Sequence, residues 1–239
     1  MSQLLNILAI FITIIIIYYI LTWLFGSSTA HMTKTMSGKK TKTIAASSMP
    51  ANNNSGNFTY SLWFYVNDWN YRFGEEKVVL TRLNSDNKDA PTISFDTMEN
   101  NILVTLSTYP SSGSSTDASV SYTKTYTVKN FQLQKWVNLI VSVYGRTLDV
   151  YLDGKLVRTF VLPGIPKVST KTNVQITPNG GFDGSTSSIK YWPNAKNPQE
   201  AYNIYRNGHG GSILGNLFNK YRIKVAFVED NIEKSSLEI

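Results

Sequence analysis

Few side chains in this sequence could do acid–base or nucleophilic chemistry. The 239 residues contain no cysteine, which excludes a disulfide framework, a thiolate-held zinc ion and a cysteine nucleophile. Of two histidines, His31 sits in a Ser/Thr-rich stretch and His209 precedes Gly210-Gly211; neither has an acidic or serine partner at a useful spacing. Three acidic pairs could supply the two carboxylates that glycoside hydrolysis needs. Glu75 and Glu76 are adjacent and diverge on a strand. Asp96 and Glu99 fall on opposite strand faces. Asp149 and Asp153 share a face, but Asp153 belongs to a turn. No glycine-rich phosphate loop or dinucleotide fingerprint is present. The chain reads as a non-enzyme.

Binding chemistry has better candidates. Residues 67–72, Asn-Asp-Trp-Asn-Tyr-Arg, place aromatic faces beside amide and guanidinium donors, a composition suited to a sugar or protein surface; Trp69, Asn70, Tyr71 and Arg72 form the candidate binding loop. Trp192 before Pro193 is a second aromatic of this kind, whereas Trp63 and Trp136 are expected in the core. Near the C-terminus, Tyr221, Ile223, Val225 and Phe227 alternate with polar or small residues and form a candidate docking strand, able to extend an edge of this sheet or a neighbour's.

The elements that must position these residues follow from patterning. Residues 4–25 carry no charge. As a helix they span about 33 Å, enough for a hydrocarbon core of about 30 Å. Leu4, Ile10, Ile15 and Phe25 are among its apolar residues, and Tyr18, Tyr19 and Trp23 lie toward the end where amphipathic rings favour the interface. A cleaved signal peptide is the competing reading, but Met1-Ser2-Gln3 lacks a basic residue and the apolar run is too long. Residues 1–26 are therefore expected to be a transmembrane anchor.

Residues 27–56, rich in Ser, Thr, Lys and Asn, are expected to be a flexible basic tether. Lys34, Lys39, Lys40 and Lys42 follow the apolar run and no basic residue precedes it, which favours the cytosolic face for the C-terminal domain; the alternative is a lumenal domain, where Asn53-Asn54-Ser55 and Asn57-Phe58-Thr59 match the N-glycosylation pattern. The net charge of +7 draws four of its units from this stretch, so the folded part lacks the basic stripe of a nucleic-acid binder.

From residue 57 the period becomes two. Phe58, Tyr60, Leu62, Phe64 and Val66 alternate with more polar neighbours, and further strands are expected over 77–83, 92–97, 102–109 and 119–128. Residues 135–162 read as a three-stranded meander, with Asp153-Gly154 suited to a type I′ turn. Short strands follow near 173–177 and 187–192. A helix begins at Asn197, with Pro198 in its first position and Glu200 three residues after the cap, and ends near Gly208.

Three of these pieces resemble the laminin-G-like, or concanavalin A-like, lectin/glucanase superfamily. They are FTYSLWFYV at 58–66, WVNLIVSVYGRTLDVYLDGKLV at 136–157 and FDGSTSSIKYWPNAKNPQEAYNIYRNG at 182–208. The resemblance covers 57–207 and implies a jelly roll of two antiparallel sheets, leaving 208–239 as a C-terminal extension with an acidic tail. Its glycosidase members use an E-x-D-x-x-E strand that this sequence lacks. Some members hold a calcium ion; Asp68, Asp86, Asp89 and Asp183 are the loop carboxylates available, and none aligns with a family ligand. No other cofactor is implied.

The fold class expected is all-β, a two-sheet antiparallel jelly-roll sandwich preceded by one transmembrane α-helix. This build is similar to virion proteins of large DNA viruses with an internal membrane. The expected role is a membrane-anchored structural protein between internal membrane and capsid, with membrane and capsid or scaffold proteins as partners. The alternative is a membrane-tethered lectin with a glycan partner, and a glycoside hydrolase comes last.

Overall fold

The structure is a computed structural model that describes residues 12–13, 15–16, 30–52, 56–110, 121–169, 171–210, 224–229 and 232–238. Two antiparallel sheets face each other. The first contains β1 (Ala30–Thr33), β2 (Met36–Ser37), β4 (Phe58–Asp68), β9 (Trp136–Tyr144), β10 (Thr147–Leu152), β11 (Lys155–Val161) and β13 (Asp183–Trp192), in the order β1-β13-β4-β9-β10-β11 with β2 also on β13. The second contains β3 (Lys42–Ile44), β5 (Lys77–Leu83), β6 (Asp89–Phe95), β7 (Ile102–Thr108), β8 (Tyr122–Val128) and β12 (Val174–Ile176), in the order β3-β12-β5-β6-β7-β8. The alternation read in the sequence is the packing rule. Phe58, Tyr60, Leu62, Phe64 and Val66 of β4 all point into the core, opposite Val79, Ile93, Val104 and Leu106 of the second sheet.

One half of that core is aromatic. Phe95 lies 4.7 Å from Phe131, 5.0 Å from Phe64 and 5.0 Å from Phe182. Tilted and edge-on pairs of this kind add about 0.5–1.5 kcal/mol each beyond the area they bury.

The local signals hold at the meander and the helix. Asp153 (φ 48°) and Gly154 (φ 74°) both take the left-handed conformation between β10 and β11, as a type I′ turn requires. The helix Pro198–Arg206 opens with a complete capping box. The Asn197 side chain accepts from the Glu200 backbone N–H at 2.9 Å, and the Asn197 N–H donates to the Glu200 carboxylate at 2.9 Å. Ala201 and Ile204 seat the helix on Ile140 and Tyr151, on the outer face of the first sheet.

Three expectations need correction. Most of the stretch expected to be a tether is folded: β1 and β2 pair with β13, and β3 pairs with β12. Met32 is 5% exposed, and Met36, Ile44 and Met49 pack against the core. Single apolar residues spaced among Ser, Thr and Lys gave no periodicity, yet each finds a slot at a sheet edge. Trp63 and Trp136 are not in the inter-sheet core. They lie on the outer face, where Trp63 stacks on Tyr205 at 5.5 Å and Trp136 stacks on His209 at 4.6 Å. Finally, among the described residues the C-terminal strand extends neither sheet of this sandwich, which leaves a neighbour's edge of the two expected uses. β14 (Lys224–Glu229) pairs with β15 (Ile232–Glu238) as a separate hairpin, so the acidic tail is itself a strand.

Candidate functional site

The strand registers define two ends. Ala30 is level with Tyr191, Tyr191 with Tyr60, and Tyr60 with Val141. β1 therefore enters beside Phe58 and Val143, which we call the entry end. The opposite, far end gathers the loops after β4, after β6, after β8 and before β13.

The candidate binding loop lies at the far end, and its side chains are turned to structural use. Asp68 accepts from the Asn70 N–H at 2.9 Å, which folds the loop into an Asx turn. The Trp69 indole N–H donates to the Met98 carbonyl at 3.4 Å. Its ring packs edge-on against Phe131 at 5.8 Å, and the Lys77 ammonium lies 4.6 Å from the ring centroid. Burial, and then the Arg72 guanidinium, lowers the Lys77 pKa. The Tyr71 hydroxyl donates to Gly180 O at 3.2 Å. Arg72 donates to the carbonyls of Asn179 and Gly181 and pairs with Glu75 at 2.8 Å. The four residues are thus brought together, but Asn70 alone of the four is exposed, the others being half-buried.

The exposed apolar surface at this end comes from residues that sequence reasoning missed. Met98 is 61% exposed and Phe73 54%, and Leu133 lies across a cleft from Met98 on a third loop. Met98, Leu133 and the free edge of Trp69 line a cleft of about 500 Å³ with Glu99, Asn100, Lys129 and Asn130. A lone methionine or leucine in an otherwise polar turn was the available signal. Asn101, 2% exposed, organises the cleft wall. Its amide donates to Asp96 at 3.2 Å and Glu99 at 2.7 Å, and its oxygen accepts from the Asn130 N–H at 3.2 Å. Asp96 and Glu99, expected on opposite faces, therefore converge, because residues 96–101 form a turn after β6 ends at Phe95. The Asn101 amide bridges the two carboxylates.

The calcium candidates are split between the ends. Asp68 and Asp183 are register partners at the far end, where Lys39 pairs with Asp183 at 3.1 Å. At the entry end Asp86 pairs with Lys167 and Asp89 accepts from Thr92. Among the described residues no three acidic or histidine side chains converge as a metal cluster would. His209, which has no partner in sequence, is held by the Trp136 stack and by Ser187, whose hydroxyl donates to the His209 carbonyl at 2.6 Å. Beside it runs a larger cleft of about 1220 Å³ along the sheet edges, lined by Met32, Lys34, Lys40, Lys42 and Ser188 among others.

Of the anchor residues, Ile15 has helical backbone and is 44% exposed; Leu4, Ile10, Tyr18, Tyr19, Trp23 and Phe25 lie outside the described residues. Among the described residues no helix is long and apolar enough to cross a membrane. Val225 and Phe227 lie in β14, and Tyr221 and Ile223 lie outside the described residues.

Comparison with known proteins agrees with this architecture. The family model of the concanavalin A-like lectin/glucanases superfamily matches residues 38–202, and the chain belongs to that superfamily. Its matched span starts inside the stretch expected to be a tether. No curated protein matches the sequence. Among solved structures, the chain is similar to the botulinum neurotoxin serotype D binding domain (11% identity, TM-score 0.53, 72% of this chain and 42% of that one). It is also similar to the receptor binding domain of botulinum neurotoxin D (11% identity, TM-score 0.52, 74% and 45%). The chain spans less than half the length of these toxin structures, and the likeness is one of fold. That fold is lectin-like.

Proposed function

We propose that this chain is a non-catalytic interaction module, held on a membrane by residues 4–25 and presenting the far end of its sandwich to a protein partner. The observation that carries the reading is polarity. β1 starts at the entry end, while the exposed apolar loop tips Phe73, Met98 and Leu133 gather at the opposite end. Apolar side chains on separate loops around a cleft suit a protein surface, where a few such contacts supply most of the binding energy. A binding role also accords with the toxin structures of similar fold, a binding domain and a receptor binding domain. We place the domain on the cytosolic face, since Lys34, Lys39, Lys40 and Lys42 follow the apolar run in sequence. The setting we propose is a virion with an internal membrane beneath a protein shell.

A second reading, a glycan-binding lectin, is supported by the superfamily and by the Asn100, Asn130 and Glu99 side chains beside Trp69. The Trp69 ring, however, is engaged by Lys77 and Phe131, which leaves little open face for a pyranose to stack on. Photocrosslinkers at Met98 and Leu133 in the full chain, in native membranes or particles, decide between them. Crosslinks to a shell or scaffold protein are expected. A far end that stays uncrosslinked while the chain is retained on immobilised glycan overturns the protein-partner reading in favour of the lectin.

A further inference from the structure

We infer that the entry end of the sandwich is a phospholipid-contact surface, on which the domain rests against the bilayer; this depends on the membrane-anchor reading of residues 4–25. The first argument is chain length. With β1 paired to β13 from Ala30, five Cα steps separate Phe25 from the sheet, a span of at most about 18 Å even when fully extended. A flexible stretch of thirty residues would let the domain roam; this length brings the entry end to the headgroup region.

The second argument is the surface found there. Tyr144, at the end of β9, is 70% exposed; Val161, at the end of β11, is 73% exposed; and Ile165, in the loop that follows, is 51% exposed. Tyr109 joins them, its N–H donating to the Ile165 carbonyl at 2.9 Å. Tyrosine and aliphatic side chains projecting together suit the boundary between headgroups and acyl chains, where amphipathic rings are favoured. The third argument is charge. Arg146 lies in the turn after Tyr144, Lys171 follows Ile165, and Lys88 extends the loop before β6, all exposed. Basic residues near an anionic leaflet are drawn to it, each by about 1 kcal/mol.

These three features come from segments far apart in sequence, and they meet at the end where β1 enters. A protein surface could also seat on such a rim. The short connection to an apolar segment favours lipid, because it leaves little room for a protein layer between.

The chain has no native cysteine, so single cysteines report cleanly. Full-length Tyr144→Cys, Ile165→Cys, Met98→Cys and Ile12→Cys variants would carry an environment-sensitive fluorophore and be reconstituted in phosphatidylcholine–phosphatidylserine vesicles. With headgroup-nitroxide lipid, the labels at 144 and 165 should lose most of their emission while the label at 98 keeps it. With acyl-chain nitroxide, the label at 12 should be quenched. Quenching at 12 with labels at 144 and 165 as bright as at 98 overturns the lipid surface and leaves the anchor standing. No quenching at 12 overturns the anchor, and this inference with it. Labels at 144 and 165 that are bright in vesicles but shielded in native membranes would assign the rim to a protein instead.

Discussion

The two ends of the sandwich draw on different loops to close them, and they carry different charge. At the far end side chains do the closing: Arg72 and Tyr71 reach across to the carbonyls at 179–181, and Asn101 gathers Asp96, Glu99 and Asn130. At the entry end backbone bonds between loops stand beside side-chain bonds from Asn84 to Lys167 O and from Arg146 to Leu162 O. Tyr109 N–H donates to Ile165 O, Lys167 N–H to Ser107 O and Leu162 N–H to Arg146 O. The far-end loops hold Glu75, Glu76, Asp96, Glu99 and Asp183 against several lysines, whereas among the described residues the entry-end loops hold Asp86 and Asp89 as acids beside Lys88, Arg146, Lys167 and Lys171. The contrast teaches that one end is shaped to present side chains and the other to lie flat and positive.

The sharpest way to break the comparison is at Gly164. A Cβ there would meet the Tyr109 carbonyl oxygen at 2.0 Å, and that oxygen belongs to backbone that cannot swing away. Gly164→Ala should cost about 2–3 kcal/mol, the upper range for overpacking, seen as a lowered melting temperature. If the entry end tolerates it without loss, backbone packing does not define that end.

A smaller loss is expected at the far end. Arg72→Ala removes the donor to Asn179 and Gly181 and the Glu75 partner, and should cost about 1–2 kcal/mol. Crosslinking from Met98 should fall with it as the loops loosen. Arg72→Lys should not rescue fully, because an ammonium cannot reproduce the planar fork.

The smallest effect is pH-dependent. A hydrogen bond from Lys167 lowers the Asp86 pKa, against an opposing effect of burial. A carboxylate whose folded pKa lies below its unfolded value of about 3.9 contributes stability fully above that value and loses it as pH falls through the folded pKa. The melting temperature of Asp86→Asn should therefore lie slightly below that of the natural chain at neutral pH, and the two should converge as pH drops below about 4. A gap that persists in acid would show that the pair holds Lys167 in place by packing rather than charge.

Much of the sandwich was legible. The alternation of β4, the meander of β9 to β11 and the capped helix each rest on contacts within a few residues, which is the range over which periodicity and turn chemistry act. The first three strands were not. β1, β2 and β3 span four, two and three residues, too few for a period to show, and their partners lie 130 or more positions away. The far-end cleft was half legible: Trp69 was found, but Met98 and Leu133 are single apolar residues whose exposure depends on how three loops converge.

The sequence alone determined that 4–25 is uncharged and long enough to span a bilayer, that 58–206 folds as strands with one helix, and that no cysteine chemistry exists. The tertiary structure alone decided where charge lies relative to the start of β1. Lys39 is fourteen residues from Phe25 in sequence, which is close enough to bias insertion of an unfolded chain. Folded, it pairs with Asp183, eight residues along β13 from the level of Ala30, or about 25 Å at the usual strand rise. That exceeds the screening length of about 8 Å in physiological salt. Arg146 and Lys171, more than a hundred residues from Phe25 in the chain, lie instead at the end of the sandwich where β1 starts. Strand order places them there, because antiparallel pairing of Ala30 with Tyr191 fixes which end of the sandwich the chain enters, and no local pattern encodes a partner that distant.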